Sequence, residues 1–456
     1  MKTLLTIVCA AATLSAQVKL PRYTREVLPN GVVVYLMPKP GVPLINFLVI
    51  AKGGVESEPA NLAGIASVSA DLLRKGTASR TAEQFSNQLD SMGGTFRTAD
   101  NEQDVTVATE FLKKDFAAGL DLTADAILHP TFPEAEVTKT LAQRVDQAKS
   151  WKDSPGQAIR FYFNPYFYGP QHPYGRTADE LSLAHITREN IIDYAKHAFV
   201  GKRLVVIVSG DLDPATAGPA VKKVFGEAPA GTAYEWAKDV RPLAGQRLLL
   251  IDKPDATQTY FRIAQPGISR TDPDRTTVLL LNTLFGGRFT SMLNDELRVN
   301  SGLTYGASCI LDRNRLPGAI AISSYTRTDT TTKAIDLALD VLKRLNEKGI
   351  TAAQLASVKA YIKGTYPTQT LETPDQLANV LGDMEIFGLN RGEVDDLFSR
   401  IDAVTLEGAN AAAKKWYKPE NLTFVVLGNA SKIRESVKKY APQMNEVSIK
   451  SPGFGT

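Results

Sequence analysis

The sequence predicts an α+β protein made of two similar halves, each an antiparallel-rich sheet with helices packed on one face. Two observations lead to this prediction. Short β-rich runs alternate with helical patterns along the 456 residues, which is typical of layered α+β domains. Stretches of the first half also recur in the second half at a nearly constant spacing, which indicates a duplicated domain.

The repeat is clearest where a helical pattern leads into an apolar strand. Residues 186–211 match residues 404–429 at an offset of 218, and each copy places a buried-strand pattern before a glycine, at Gly210 and Gly428. A weaker match pairs 40–47 with 254–261 at an offset of 214. We therefore predict a first domain at 17–228 and a second at 246–456. The Pro-, Gly- and Ala-rich stretch between them predicts a linker at 229–245.

Individual elements follow from turn residues and periodicity. A Pro-Asn-Gly turn at 29–31 predicts that residues 25–36 form a strand pair. Apolar spacing of helical period predicts five helices, at 82–92, 114–128, 133–151, 331–348 and 352–365.

The composition and the N-terminus restrict the class of protein. Lys and Arg number 52 against 49 Asp and Glu, a formal charge of +3, which gives no basic field for nucleic acid. Residues 1–16 combine Lys2, an apolar run at 4–14 and a small residue at Ala16, the pattern of a secretory signal peptide. The run is shorter than the roughly 20 residues that span a bilayer, although a retained anchor stays open. We expect a periplasmic or secreted bacterial protein with Cys309 as its only cysteine after cleavage.

The stretch at 64–77 begins and ends like a known type of active-site helix but lacks the functional side chains of that helix. Gly64 opens it and Lys75-Gly76-Thr77 closes it. This frame resembles the zinc-binding helix of the pitrilysin/insulinase family of metallopeptidases, which includes proteins like the mitochondrial processing peptidase. The resemblance implies two His ligands with a catalytic Glu between them, and Ser67, Ala70 and Asp71 stand at those three positions. An ordinary apolar helix ended by Lys-Gly stays open as an alternative.

The third ligand expected from the resemblance is also replaced. Gln147 stands 76 positions after Asp71, where the family has a Glu on a later helix. A zinc peptidase needs about three protein ligands and an open position for water, and Ser, Asp and Gln form a poor set. The four His residues show no metal-binding spacing, and the resemblance makes His172 part of a structural turn; they lie at 129, 172, 185 and 197. We expect no metal in this chain.

A second signature, at 284–305, keeps its functional residues. It resembles the second-half signature of the same family and contains Arg298 and, seven positions later, Tyr305. The resemblance implies that both side chains reach a zinc site from the opposite half or a partner subunit and hold the substrate backbone and the oxyanion. Met292 and the pair Asn300-Ser301 depart from the family pattern. The alternative makes Arg298 a solvated helix-end residue and Tyr305 an ordinary strand aromatic.

The resemblance implies a clamshell of two metallohydrolase-like halves and leaves three functions open. The first is a non-catalytic subunit of a heterodimeric zinc peptidase, in which a homologous partner with an intact His-x-x-Glu-His helix holds the zinc and Arg298 and Tyr305 act in trans on a peptide. The second is a catalytically silent scaffold or interaction protein of the same fold. The third is an autonomous peptidase with unusual ligands. Hetero- and homo-oligomers both stay open.

Overall fold

The computed structural model describes residues 18–455 and shows two halves, each built on a six-stranded sheet. The first half contains β1 Thr24–Val27, β2 Val33–Pro38, β3 Leu44–Lys52, α1 Ile65–Leu72, α2 Ala82–Ser91, β4 Thr95–Asp100, β5 Asp104–Leu112, α3 Phe116–Leu128, α4 Glu134–Ser150, α5 Pro155–Tyr168, α6 Glu180–Ala184, α7 Arg188–Ala198, β6 Leu204–Gly210 and α8 Pro214–Phe225.

The second half repeats this plan with extra helices. It contains β7 Arg247–Asp252, β8 Gln258–Pro266, α9 Arg275–Asn282, α10 Met292–Asn294, β9 Ala307–Arg313, β10 Pro317–Arg327, α11 Thr331–Lys348, α12 Ala352–Thr370, α13 Pro374–Phe387, α14 Gly392–Asp395, α15 Leu397–Ala403, α16 Leu406–Trp416, β11 Thr423–Gly428, α17 Ala430–Val437 and β12 Gln443–Ser448. Two π-helical turns, Thr283–Gly287 and Asp295–Asn300, follow α9 and α10.

The two sheets have corresponding strand orders. The first runs β1-β2-β6-β3-β5-β4 and the second β12-β7-β11-β8-β10-β9. In both, the third strand pairs parallel with the second and antiparallel with the fourth. The sheets differ at one edge, where β1 is antiparallel to β2 but β12 is parallel to β7. The predicted α+β architecture of two similar halves is confirmed.

One helix of each half packs against the sheet of the other half. Strand β3 is buried on both faces. Phe47 and Val49 join the core formed with the first half's own helices, whereas Leu48 and Ile50 pack with Leu381 of α13 from the second half. Helix α5 does the reverse and packs its aromatic residues on the second sheet. The prediction of helices on one face thus describes each half's own helices, and the opposite face is covered by the other half.

Most predicted elements are present with small shifts at their ends. Strands β1 and β2 pair antiparallel around the predicted turn. Helix α11 has the predicted bounds. Helix α12 begins where predicted, with Thr351 and Gln354 forming a capping box, but runs to Thr370 instead of 365. The added turn includes Pro367, and Tyr366 packs against two hydrophobic cores, which favours continuing the helix.

The segment between α8 and β7 contains the predicted linker. Residues 226–246, all of them described, form neither helix nor strand. The segment is nevertheless held in place, because the Ala237 N–H donates to Glu56 and Arg315 stacks 4.4 Å from the ring centroid of Trp236. The predicted signal peptide at 1–16 lies outside the described residues. Within 18–455, the helices are all too short or too polar to cross a membrane.

Candidate functional site: a closed metal position and an open arginine–tyrosine pocket

Helices α1 and α4 bring the three degenerate ligand positions together. Ser67 and Asp71 are separated by one helical turn and therefore lie on the same face of α1. Gln147 is near the C-terminal end of α4, which packs against α1. The convergence that the resemblance implied is therefore present, although none of the three side chains is the family's ligand.

The space between these side chains is occupied by Arg144 of α4. Its Nε donates to Asp71 Oδ2 at 2.7 Å, its Nη1 to Gln147 Oε1 at 3.1 Å and its Nη2 to Ser67 Oγ at 3.0 Å. Asp71 also accepts a hydrogen bond from Thr98 on β4, at 3.1 Å. A guanidinium is always charged and carries a rigid set of donors. A fixed cation of the protein therefore stands at the point on which the former ligand positions converge.

The residues at this position do not fit a zinc ion. Zinc takes Cys, His or carboxylate ligands, and among the three ligand positions only Asp71 offers one, already paired with Arg144. Ala70, at the family's catalytic Glu position, is buried and has no proton acceptor. No cluster of three or more His, Cys, Asp or Glu suited to a metal occurs among residues 18–455. The chemistry of a metal-activated water therefore cannot be assigned to this helix.

The helix itself is well anchored. The buried carboxylate of Glu58 accepts hydrogen bonds from the Gly64 and Ala66 N–H groups at the N-terminal end of α1, at 3.0 and 2.9 Å. Burial raises the pKa of Glu58 to about 8. Burial also raises the pKa of Asp100 above its ordinary value, although Ser67 and Arg144 oppose this shift. The N-terminal end of α1 is thus held in place by Glu58, although α1 lacks the side chains of a zinc site.

His172 lies in a structural turn, as the resemblance implied. Its side chain is 1% exposed, and Nδ1 accepts a hydrogen bond from the Tyr174 N–H at 3.1 Å. The ring packs against Tyr168 and Tyr174, with centroids 4.7 and 4.8 Å away. Burial lowers the pKa of His172 to about 4. These contacts hold the ring in the turn, while its Nε2 is buried and has no hydrogen-bond partner among the described residues.

Arg298 and Tyr305 line the same open pocket, of about 580 Å³. Arg298 is in the second π-helical turn, a local geometry that often marks functional sites, and its guanidinium stacks 4.6 Å from the ring centroid of Phe289. Tyr305 lies two residues before β9 and is 80% exposed. Between them, the chain turns at Gly302, whose φ of 63° favours glycine.

The donors of this pair are unused by the chain itself. Within residues 18–455, the Arg298 guanidinium makes no ion pair with a carboxylate, and the phenol of Tyr305 projects from the surface. Tyr305 therefore differs from the strand aromatic of the alternative interpretation, and Arg298 is half-buried against Phe289 and not simply solvated. The geometry brings together two donors that face an open space.

Sequence reasoning missed Arg144. Its signal was present, because Arg144 precedes Gln147 by three residues, a spacing that places two helical side chains side by side. An arginine on the face of a lost metal site is a candidate to replace the metal's charge.

Family models match two stretches of the chain. Residues 38–161 match a model described as "Insulinase (Peptidase family M16)", and residues 185–362 match one described as "Peptidase M16 inactive domain". The first stretch contains the degenerate metal positions, and the second contains Arg298 and Tyr305.

Similar proteins and a solved structure point to the same family as the two models. An uncharacterized zinc protease of Mycobacterium leprae is 26% identical over 85% of this chain and 88% of its own length. A non-peptidase homolog of Helicobacter pylori is 22% identical over 85% of this chain and 90% of its own length. A crystal structure of a peptidase M16 inactive domain from Pseudomonas fluorescens matches the fold with a TM-score of 0.83 at 24% identity, over 89% of this chain and 98% of that one.

The two family models together span both halves of the chain. The chain belongs to the insulinase family, peptidase family M16, as a non-catalytic member.

Proposed function

We propose that this chain is the non-catalytic subunit of a two-chain M16 peptidase. It donates Arg298 and Tyr305 to a zinc site on a homologous partner that has an intact His-x-x-Glu-His helix. The observation that carries the proposal is the pairing of two open donors in one pocket with a metal position closed by Arg144. A chain without use for substrate donors would have no reason to hold both in this geometry.

The chemistry of peptide hydrolysis gives these two residues a role. Attack of water on an amide carbonyl places negative charge on the oxygen, and donors held in advance at that oxygen lower the barrier by roughly 2.7–4 kcal/mol each. In the proposed complex, the Tyr305 hydroxyl donates to this oxygen and the Arg298 guanidinium binds the substrate backbone. The expected substrate is an extended peptide. The partner supplies the metal, and this chain supplies no cofactor.

A catalytically silent scaffold of the same fold is the second candidate. The observation that favours it is the similarity to the Helicobacter pylori protein named a non-peptidase homolog. A scaffold needs the folded surface of the chain but not the Tyr305 hydroxyl. The two candidates therefore differ in what Tyr305→Phe does.

The test mixes the purified chain, expressed without residues 1–16, with a purified homologue whose sequence keeps the His-x-x-Glu-His helix, and follows cleavage of a quenched fluorescent peptide. We expect the mixture to cleave faster than either chain alone, and Arg298→Ala or Tyr305→Phe to remove most of the gain. Arg434→Ala, on α17 and not among the residues that line the pocket of Arg298 and Tyr305, is the matched control and should keep the gain. A gain that survives both substitutions excludes donation in trans. Complex formation without any cleavage supports the scaffold.

Two further parts of the proposal have separate tests. Residues 1–16 support export to the periplasm or the medium, which fractionation of the producing cells would check. Metal analysis of the isolated chain addresses the third interpretation, because stoichiometric zinc without a partner would indicate an autonomous enzyme.

A further inference from the structure

The second half contains a cavity of about 390 Å³ at the counterpart of the degenerate zinc site. Helices α4 and α12 begin 218 residues apart, the offset of the internal repeat, so Ile362 and Thr365 correspond to Arg144 and Gln147. Both line the cavity, together with Leu279 and Thr283 at α9. Where the first half fills this place with a guanidinium, the second half leaves it open.

One wall of the cavity is a cluster of arginine and acidic side chains around Glu393. The carboxylate of Glu393 accepts hydrogen bonds from Arg270 at 2.8 Å, Arg275 at 3.1 Å and Arg400 at 3.2 Å. Asp383 lies 3.8 Å from Arg270. The Glu393 carboxylate is thus already bound by three arginines, and the cluster has one more arginine than it has acidic groups.

Arg313, the last residue of β9, adds a further guanidinium to the cavity wall. Neither a hydrogen bond nor an ion pair within 4 Å links its guanidinium to any residue of the described chain. Arg313 is half-buried, and burial together with the nearby charge of Arg270 lowers its pKa to about 10. The carboxylates of Glu393 and Asp383 oppose this lowering of the pKa. A charge removed from water without a hydrogen-bonded partner costs free energy, and an anion that binds the guanidinium directly would reduce that cost.

The remaining walls suit a small organic ligand. Tyr361, Tyr366 and Met384 supply apolar surface, and Gln369 and Thr370 supply polar groups. The volume lies at the lower end of the range for small-molecule sites. A guanidinium binds carboxylates through two parallel hydrogen bonds, and the cavity is large enough to hold a few atoms beyond the carboxylate.

We propose that this cavity binds a small carboxylate-bearing ligand, such as the free C-terminus of a short peptide, through Arg313. Phosphate shares the charge that the guanidinium recognises, so the test must separate the two anions. The proposal does not depend on the subunit role proposed above, because the cavity lies apart from the pocket of Arg298 and Tyr305.

The test is calorimetric titration of the full mature chain at low salt with trialanine, trialanine amide and inorganic phosphate. We expect saturable binding of trialanine, and at least tenfold weaker binding of the amide, which lacks the carboxylate. Phosphate should bind more weakly than trialanine. Absence of saturable trialanine binding, or equal binding of the amide, overturns the proposal. Binding of phosphate alone overturns the assignment to a carboxylate.

Variants assign the binding to Arg313. Arg313→Gln should weaken trialanine binding at least tenfold, whereas Arg313→Lys, which keeps the charge but loses the fork, should weaken it less. Arg22→Gln removes the same charge from an exposed position and should bind like the parent chain. Trialanine should also raise the melting temperature of the parent but not of Arg313→Gln, which separates loss of binding from loss of folding. Unchanged binding by Arg313→Gln overturns the proposal.

Discussion

The Arg144 guanidinium binds the Asp71 carboxylate, with Nε 2.7 Å from Oδ2, at the position of the family's second metal ligand. Both side chains are partly buried, at 26% and 32% exposure. A buried carboxylate needs a positive partner, and here the partner belongs to the protein. The positive charge beside Asp71 is therefore supplied by a side chain of the protein itself.

Removal of this guanidinium should destabilise the fold. Arg144→Met leaves Asp71 with only the Thr98 hydrogen bond and removes the donors to Ser67 and Gln147. We expect a loss of about 1–2 kcal/mol in the free energy of unfolding, measured by urea denaturation, since hydrogen bonds to charged groups exceed the contribution of exposed ion pairs. Arg434→Met breaks the more exposed pair with Glu446 and should cost less. Equal losses would show that Arg144 forms only a surface pair.

Local sequence patterns predicted many of the helices and strands. Contacts between segments far apart in the chain could not be predicted from these patterns. Helix α11 has one clear apolar face and a glycine after its end, and its bounds were predicted correctly. Helix α5 was not predicted. Its aromatic residues are buried against strands that follow 80 or more positions later, with Tyr166 and Arg247 separated by 81, and nothing local marks that partner. Arg144 differs in part, because its spacing from Gln147 was a local signal, whereas its contact with Asp71 depends on packing between α1 and α4.

The exchange of helices between the halves should make their unfolding cooperative. Leu381 of α13 is fully buried against the first sheet. We expect Leu381→Ala to cost roughly 2–5 kcal/mol, the range for removing a buried leucine side chain, and to shift a single unfolding transition seen by both circular dichroism and tryptophan fluorescence. Leu181→Ala, at an exposed position, should change stability by less than about 0.5 kcal/mol. Two separate transitions in the parent chain would argue against coupled halves.

His172 should make the fold sensitive to acid. Its pKa is about 4 in the folded chain, below its ordinary value of 6.5, so the unfolded chain binds the proton more readily. The stabilisation is present above pH 6.5 and decreases as the pH falls towards 4, by roughly 2–3 kcal/mol in total. His172→Asn keeps an acceptor for the Tyr174 N–H but does not titrate. Urea denaturation at several pH values should therefore show a smaller decrease for this variant, and parallel curves would contradict the assignment.

Tyr305 should contribute to peptide cleavage by the mixed chains and not to the stability of the fold. Because its side chain is 80% exposed, Tyr305→Phe should change the free energy of unfolding by less than about 0.5 kcal/mol. The same change should lower kcat of the mixed chains by about 10²–10³-fold if the hydroxyl binds the oxyanion. Thermal denaturation and peptide cleavage on one protein sample measure both quantities. A large loss of stability would instead assign Tyr305 a structural role.

If Arg144 occupies the metal position, restoring zinc should require its removal. Ser67→His, Asp71→His and Gln147→Glu together supply two imidazoles and a carboxylate, the donor types of a catalytic zinc site. With Arg144→Ala added, we expect about one zinc per chain by atomic absorption after dialysis. If Arg144 is retained, its charge repels the zinc ion and its N–H groups hydrogen-bond to the new carboxylate. The variant should therefore bind zinc at least tenfold more weakly. Equal zinc content in both variants would mean that the guanidinium and the metal position do not coincide.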